Sequence, residues 1–489
     1  MPEAPRYAAV DLGATSGRVF AGRLQDGRVD LEEVHRFENR PVQLPDGLRW
    51  NLLHLFTCVL EGIGRAGPLA GIGVDTWGVD YALLDGRGRV LGLPFHYRDP
   101  RTEGMVERAF ARVPAAELYA TTGIQTLPIN TAFQLLADEG SAALDAAQRI
   151  ALVPDLLASW LCGELANEAT NASTTGLLDA RAGRWAGGLI ERLGLPGRLF
   201  GALVEPGTVL GPLLEHHGLG ATRVCAVASH DTASAFAGAP VRDEHSAILS
   251  SGTWSLLGLE LPGPVLSEAA REANLTNERG IDGTTRLLKN VMGMWLLEEC
   301  RRTWAAGGES ASYEDLQRRA QAVGGEVPLF DPDDESFLAP GDMPARIAAA
   351  CERSGQAAPA DVGVVVRSIL VSLACKYRWT IERLEAVAGR EVRSIHVIGG
   401  GGRNALLCRL TADICGRPVL AGPVEATALG NVLVQARAAG ELASPAELRA
   451  VAAASVEPVV EEPAGDRDAA GATYRRFLNL TGLTVAAAA

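Results

Sequence analysis

The chain of 489 residues is almost without lysine. Only Lys289 and Lys376 carry that side chain, and arginine supplies the rest of the 45 basic residues. Neither lysine stands in the pattern G-x-x-x-x-G-K-[ST], which excludes a Walker-A phosphate loop. A nucleotide phosphate, if one is handled, falls to backbone N–H groups, hydroxyls, arginines and a metal ion. The eight cysteines make no C-x-x-C pair. Their scatter fits neither zinc spacing nor a disulfide framework, and they read as small buried apolar residues in a reducing compartment. No run of apolar residues reaches the eighteen or so that would span a bilayer, and "IALVPDLLASWLCGEL" is broken by Pro154 and Asp155. The start, "MPEAPRYAAVDLG", has no basic segment leading into an apolar one, so a secretory signal is not expected and a cytoplasmic location is. Positive charge is in deficit, with a formal net charge of −14. That balance argues against nucleic acid and acidic membrane surfaces as partners. Small molecules remain, with the chain a monomer or small homo-oligomer.

What is present is strand, glycine turn and strand, repeated. "YAAVDLGATSGRVFAGRLQDGRVDLEEVHRF" reads as a β-meander, followed by a helix over Leu52 to Arg65. "LAGIGVDTWGVDYALLDGRGRVLG" repeats the logic as three strands. Segments around 102–119, 131–161 and 187–203 are expected to be helical. After Val241, "SAILSSGTWSLLGLEL" starts the hairpin pattern again, and a long helix is expected near 363–389. "SIHVIGGGGRNALLCRLTADICGRPVLAGPVEATALGN" then reads strand, glycine turn, helix, strand, loop, helix. Two halves with similar openings suggest a duplicated α/β architecture divided near residue 240. Two unrelated α/β domains would open with hairpins as well.

The turns have the composition of phosphate devices. "DLGATSG" offers Gly13, Gly17, the hydroxyls of Thr15 and Ser16, and then Arg18. Glycines let the backbone approach a ligand, and successive N–H groups form an anion nest. "SSGTWS" offers Ser250, Ser251, Gly252, Thr253 and Ser255 in the same arrangement. Each is equally readable as an ordinary turn. Asp11, at a strand end, suits a Mg²⁺ ion held through water, or a turn-capping carboxylate. "IGGGGRN" does not match G-x-G-x-x-G, but its flat glycine surface suits an adenine ring.

"VCAVASHDTASAFAG" places His230 and Asp231 at the end of an apolar strand, here read as 221–229, and at the start of a small-residue helix. Asp231 is then either a helix cap or a base presented at a strand end. A helix N-terminus favours the charged carboxylate, so Asp231 is expected to stay ionised.

The ordered set "VDLGATSGR", "GVDTWGVDYALLD", "YRDPRT", "GIQTLPINT", "VPDLLASWLCGE…TNASTTGLLD", "ASHDTASA", "SSGTWSLLG", "NVMGMWLLEEC", "VIGGGGRNALL" and "GPVEATALGN" resembles the FGGY family of carbohydrate kinases. The likeness runs from about residue 7 to about 460. Within the family, "DTWGVD", "HDTASA" and "SSGTWSLLG" look most like the branch acting on L-rhamnulose. The resemblance implies two ribonuclease-H-like α/β domains of the actin and hexokinase ATPase type, with an interdomain active-site cleft. It implies domains at 1–240 (sugar, first phosphate turn, catalytic aspartate) and 241–489 (nucleotide), each with a five-stranded mixed sheet. ATP, Mg²⁺ and a ketose follow from it, with phosphate going to the C1 hydroxyl of L-rhamnulose in rhamnose catabolism. L-Fuculose and L-xylulose are alternative ketoses. A sugar sensor or actin-like assembly protein without phosphotransfer is the alternative from another class.

By the same resemblance Asp231 is the catalytic base. Ala14, Thr15, Ser16, Gly17, Arg18, Thr253 and Gly401 contact ATP. Gly78, His230, Asp231, Thr232 and Asn290 line the sugar site. Glu298 stands where relatives often carry glutamine near the nucleotide, and its added negative charge disfavours phosphate oxygens. Tyr97, Asp99 and Arg101 of "YRDPRT" lie where the family brings sugar-facing side chains, although an Asp-Pro turn with an ion pair reads the same. Trp77 and Trp254 are core anchors or cleft walls.

Overall fold

Small and β-branched residues alternate tightly in the first forty positions, and there the chain pairs as three antiparallel strands. In the computed structural model, which describes residues 4–220 and 222–484, Arg6–Leu12 pairs with Ser16–Gln25, and the latter with Arg28–Glu38. Gly71–Thr76 and Arg223–Ala226 add in parallel beyond Arg6–Leu12, and Thr208–Pro212 closes the edge antiparallel, giving a six-stranded mixed sheet. That edge strand is one more than the five expected. It carries a register shift between Val209 and Gly211.

The chain divides into two compact units. The first comprises residues 1–242 together with 260–287 and 425–457, and the second comprises 243–259, 288–424 and 458–489. The other sheet has seven strands, two more than the five expected: six repeat that order, with Thr285–Met292 beyond Trp254–Leu261, and Thr276–Arg279 adds at the edge. Ser246–Ser251 pairs antiparallel with Trp254–Leu261 and parallel with Ser394–Ile398. Val419–Ala421 continues in parallel and Val459–Glu461 closes antiparallel. The repeated order shows the duplicated plan.

Several elements follow the sequence closely. The helix Leu52–Arg65 has its predicted bounds, and the long helix is Val362–Ala388. Every residue from Ser368 to Tyr377 is buried, so the middle of this helix is enclosed on all sides rather than amphipathic. "ATYRRFLNL" lies in the helix Arg467–Thr481. Other segments differ. The stretch 131–161 is not one helix: Thr131–Ala137 and Ala142–Ala146 are separated from Val153–Cys162 by the strand Arg149–Leu152, which pairs with Tyr81–Leu84. Pro154 takes the first turn of that last helix, where its missing N–H costs nothing. The segment 187–203 is helical only over Gly187–Arg192 and a short 3₁₀ turn. The third strand expected after "DGRG" reduces to one bridge between Leu84 and Val90. The strand expected over 221–229 spans Arg223–Ala226, and Ala221 lies outside the described residues.

In the first unit a core gathers Tyr7, Phe20, Val227 and Ala233 with Leu429, Val432 and Leu433 of the helix Ala426–Ala438. All eight cysteines are buried and unpaired. Among the described residues no helix is long and apolar enough to cross a membrane.

Candidate functional site

Three parallel strands of the first unit end at one edge of its sheet. Asp11 stands opposite Asp75 in register, and Thr76 bridges to His230. The carboxyl ends thus present Asp11, Asp75 and the His230–Asp231 pair in a row. Carboxyl ends of parallel strands are where open α/β sheets bind ligands.

Asp231 opens the helix Asp231–Ala237, with His230 as its cap residue. Thr232 donates its hydroxyl to Asp231 at 3.0 Å, and His230 Nε2 lies 3.5 Å from Asp231 Oδ1. Burial pushes the Asp231 carboxyl above the ordinary aspartate range; His230 opposes the rise and the Asp11 charge adds to it. Burial therefore works against the helix end, which favours the charged carboxylate. A seven-residue helix has a weak dipole, and loss of water outweighs it.

Asp75 is fully buried and accepts from Asn431 Nδ2 at 2.6 Å. Burial first, then the charge of Asp11, lifts its carboxyl far above the usual value. Its Oδ1 has no hydrogen-bond partner among the described residues. Burial also raises Asp11, against the opposing pull of Arg18, whose Nη2 donates to Asp11 Oδ2 at 2.5 Å. Arg18 pairs with Glu425 as well.

No cluster of three or more His, Cys, Asp or Glu side chains among the described residues has metal-ligating geometry. Two adjacent strand-end carboxylates, one with an unsatisfied oxygen, nevertheless suit Mg²⁺, which keeps most of its own waters and needs few protein ligands.

The first turn is held from behind. Gly13 donates to Ser16 O at 2.9 Å, while the buried Asn39 donates its backbone N–H to Thr15 O at 3.0 Å and its amide to Gly13 O at 2.8 Å. Thr15 stays exposed, with Ala14 and Ser16 half-buried. Gly17 is required, because a Cβ there would meet the Phe37 ring at 2.3 Å. Gly78 likewise lies against Thr174 Oγ1, 2.8 Å from where its Cβ would be. The next residue, Val79, has φ 68°, held by its N–H to Thr174 Oγ1 (3.1 Å) and its carbonyl accepting from Thr131 (2.6 Å). A β-branched residue in the left-handed region is strained.

In the second unit, Thr253 lies in the turn between paired strands. Its carbonyl accepts from Trp295 N–H at 3.1 Å, and that of Gly252 from Met294 at 3.1 Å. Gly401 packs on the same turn, because its Cβ would fall 1.9 Å from Ser251 Oγ. Thr253 and Gly401 are thus brought together. Glu298 lies one turn into the helix Trp295–Ala306, accepting from Arg301 at 2.8 Å and Tyr313 at 2.5 Å. Asn290 is half-buried on the strand Thr285–Met292.

The "YRDPRT" side chains are engaged internally. Asp99 caps its own turn, accepting from Arg101 N and Leu48 N, and Arg101 pairs with Asp138 at 2.5 Å. Trp77 is a core anchor, stacked on Trp50 with centroids 3.9 Å apart and donating to buried Asp80, whose carboxyl burial raises to about 6.

Residues that sequence reasoning passed over also converge here. Asp75 repeats the Val-Asp strand ending of Asp11, a signal that was present. Asn431 and Glu425 lie in the noted "GPVEATALGN", but nothing local ties them to residues 11–75. Glu168 is buried and accepts from Ser229 N (2.9 Å), Ser229 Oγ (2.7 Å) and Thr170 (2.6 Å), holding the chain just before His230.

Comparison with known proteins gives the family and the fold. Residues 7–238 match the N-terminal domain, and 247–439 the C-terminal domain, of the FGGY family of carbohydrate kinases. The chain is 42% identical to a rhamnulokinase of Bacteroides thetaiotaomicron over 97% of this chain and 99% of that one. It is 38% identical to a rhamnulokinase of Bacillus subtilis over 91% and 93%. Among solved structures, a gluconate kinase from Lactobacillus acidophilus superposes with TM-score 0.78 at 17% identity, covering 98% of this chain and 97% of that one. A Plasmodium falciparum glycerol kinase with ADP gives 0.77 at 15%, covering 99% of each. These structural likenesses establish the fold.

Proposed function

Because the chain belongs to the FGGY family of carbohydrate kinases, we propose that it transfers the γ-phosphate of ATP to the C1 hydroxyl of L-rhamnulose, in the cytoplasm and in L-rhamnose catabolism. The products are L-rhamnulose 1-phosphate and ADP. Relatives called rhamnulokinase, 38% and 42% identical over most of their length, support this sugar. The observation that carries the chemistry is Asp231, a strand-end carboxylate made more basic by burial beside Asp11 and Asp75.

Asp231 takes the proton of the C1 hydroxyl, that oxygen bonds to the γ-phosphorus, and the bond from phosphorus to the ADP oxygen breaks in line. In phosphoryl transfer positioning matters more than base strength, so a modestly raised carboxylate suffices. Gly78, His230, Thr232 and Asn290 orient the sugar. The turn from Ala14 to Arg18 binds phosphate oxygens through N–H groups, hydroxyls and the guanidinium, and Thr253 and Gly401 hold the nucleotide from the second half of the chain. Glu298 is assigned to the rim of the nucleotide site, its charge offset by Arg301. Asp11 with Asp75 would hold Mg²⁺ through water, and the ion would neutralise charge on the phosphates. Residues 1–240 carry the sugar and first phosphate turn in this reading, and 241–489 the nucleotide.

The test is ADP release across a panel of L-rhamnulose, L-fuculose and L-xylulose, with the unaltered protein and Asp231→Asn. L-Rhamnulose is expected to give the highest kcat/KM. Asn keeps a polar side chain at the helix start but removes the base, so kcat is expected to fall about 10²-fold or more with the fold intact by circular dichroism. Preference for another ketose reassigns the sugar. Absence of ADP release with every ketose favours a sugar sensor or an actin-like assembly protein, and near-normal turnover by Asp231→Asn removes that residue from the mechanism.

A further inference from the structure

Behind His230 the first unit buries a guanidinium. Arg286, on the strand Thr285–Met292, has no exposed surface. Its Nε donates to Arg279 O at 3.0 Å, and its Nη2 lies 3.2 Å from Glu278 Oε2. The same Nη2 stands 3.2 Å from Nδ1 of His230 in hydrogen-bonding geometry. The Phe236 ring centroid is 5.8 Å from the guanidinium carbon. A buried cation needs a counter-charge, and Glu278, itself 4% exposed, supplies it. Glu168, Asp231 and Glu260 act on the same charge from further away.

The direction of the contact to His230 carries information about the imidazole. Guanidinium offers only donors and does not give up a proton in proteins. Nδ1 of His230 must therefore present a lone pair to Arg286. A neutral imidazole with a lone pair at Nδ1 carries its hydrogen at Nε2. Nε2 is the nitrogen that faces Asp231, at 3.5 Å from Oδ1. One competing contact exists: Glu278 Oε2 lies 3.3 Å from Nδ1 and would favour a hydrogen there. That carboxylate is shared with the guanidinium at 3.2 Å, and of the two contacts to Nδ1 the one from Arg286 has hydrogen-bonding geometry.

We propose that Arg286 is a positioning residue that fixes His230 as the neutral Nε2–H tautomer, so that a hydrogen rather than a lone pair faces Asp231. The inference deepens the reading of Asp231 as the base and rests on it. With the tautomer fixed, His230 has no lone pair on the side of Asp231 and cannot compete for the sugar proton. It serves as a donor beside the carboxylate, and proton acceptance falls to Asp231 alone. In the opposite tautomer two electron-rich atoms, Nε2 and Oδ1, would face each other, and the imidazole would turn away.

The test is long-range ¹H–¹⁵N correlation spectroscopy on the full chain labelled with ¹⁵N-histidine, which has eight histidines. The His230 signals are assigned by their loss in His230→Gln. The expected pattern in the unaltered protein is a pyrrole-like Nε2 and a pyridine-like Nδ1. Arg286→Met is expected to average or reverse that pattern, and to lower kcat about tenfold or more with a smaller change in sugar KM. Arg286→Lys, which restores a charged donor, is expected to recover part of both. Should Arg286→Met not fold because Glu278 is left buried and unpaired, Arg286→Met with Glu278→Gln provides the neutral equivalent. A pyridine-like Nε2 in the unaltered protein overturns the proposal, as does an unchanged pattern once Arg286 is replaced. Neither result depends on turnover, whereas the role of Asp231 is judged by the turnover of Asp231→Asn, so the two can fail separately.

Discussion

Adding one methyl group at Gly430 should disturb both stability and catalysis. The helix that begins with Asp231 packs on the helix Ala426–Ala438 through bare backbone. A Cβ on Gly430 would fall 1.8 Å from Ser234 O and 2.8 Å from Gly238 N. A Cβ on Gly238 would fall 2.2 Å from Ala426 O. Real contacts of this kind do not fall below 3.0 Å, so the helices must separate by about 1.2 Å to accept Gly430→Ala. The colliding atom is a carbonyl oxygen in the first turn of a short helix, which cannot turn aside as a side chain could. Overpacking of this sort costs about 1–3 kcal/mol. Ser234 is three residues from Asp231, so the displacement reaches the carboxylate, and a shift near 1 Å at a reacting group costs on the order of 10²-fold in rate. The assay pairs a denaturant titration with the kcat for L-rhamnulose. Gly188→Ala is the control, since a Cβ there meets nothing within 4 Å in its helix; it is expected to be neutral or to stabilise by about 0.5–1 kcal/mol. If Gly430→Ala shows the unaltered denaturation midpoint and kcat, the helices are not locked by backbone contact and the reasoning fails.

Three further outcomes follow from the same geometry. Asp231 must be ionised to accept a proton, and burial raises its carboxyl, so activity should fall as pH drops through a value above the ordinary 3.9 or so of a free aspartate. Because Asp11 and Asp75 are also raised, that limb belongs to the carboxylates as a group, and a kcat/KM profile flat down to about pH 4 in folded protein would contradict it. Val79→Gly should stabilise by about 0.5–1 kcal/mol by denaturant titration, since relief of the left-handed strain, about 1–2 kcal/mol, exceeds the entropic cost of glycine; a lower midpoint would show that Val79 is not strained. Glu425→Gln should lower the KM for ATP about two- to fivefold by freeing Arg18 from a half-buried ion pair, and a higher KM would show that Glu425 assists binding instead.

The parts of this site that the sequence discloses are those whose chemistry is local. "DLGATSG" and "SSGTWS" announce tight turns because glycine and hydroxyl residues have few other reasons to cluster between apolar strands, and His230–Asp231 stand out as charge at the end of an apolar run. The parts it conceals are those set by distant packing. Asp75 occupies the same strand-end position as Asp11, yet only the parallel register opposes them. Asn431 and Glu425 reach Asp75 and Arg18 because residues 425–457 join the first unit after some 180 residues spent largely in the second, which a single cut near 240 does not anticipate. Arg286 and Glu278 come from the strand pair that closes the segment 260–287, and only the folded chain sets them behind His230. "YRDPRT" erred in the other direction: an Asp-Pro turn looks the same whether its carboxylate faces a ligand or caps its own backbone, and here Asp99 caps. The upward shift of the Asp231 carboxyl has a related origin. The helix start is visible in sequence, but the loss of water that opposes it comes from the folded surroundings of Asp231. Local pattern therefore singles out Asp231, while the distant segments set its burial and the surroundings of its imidazole neighbour.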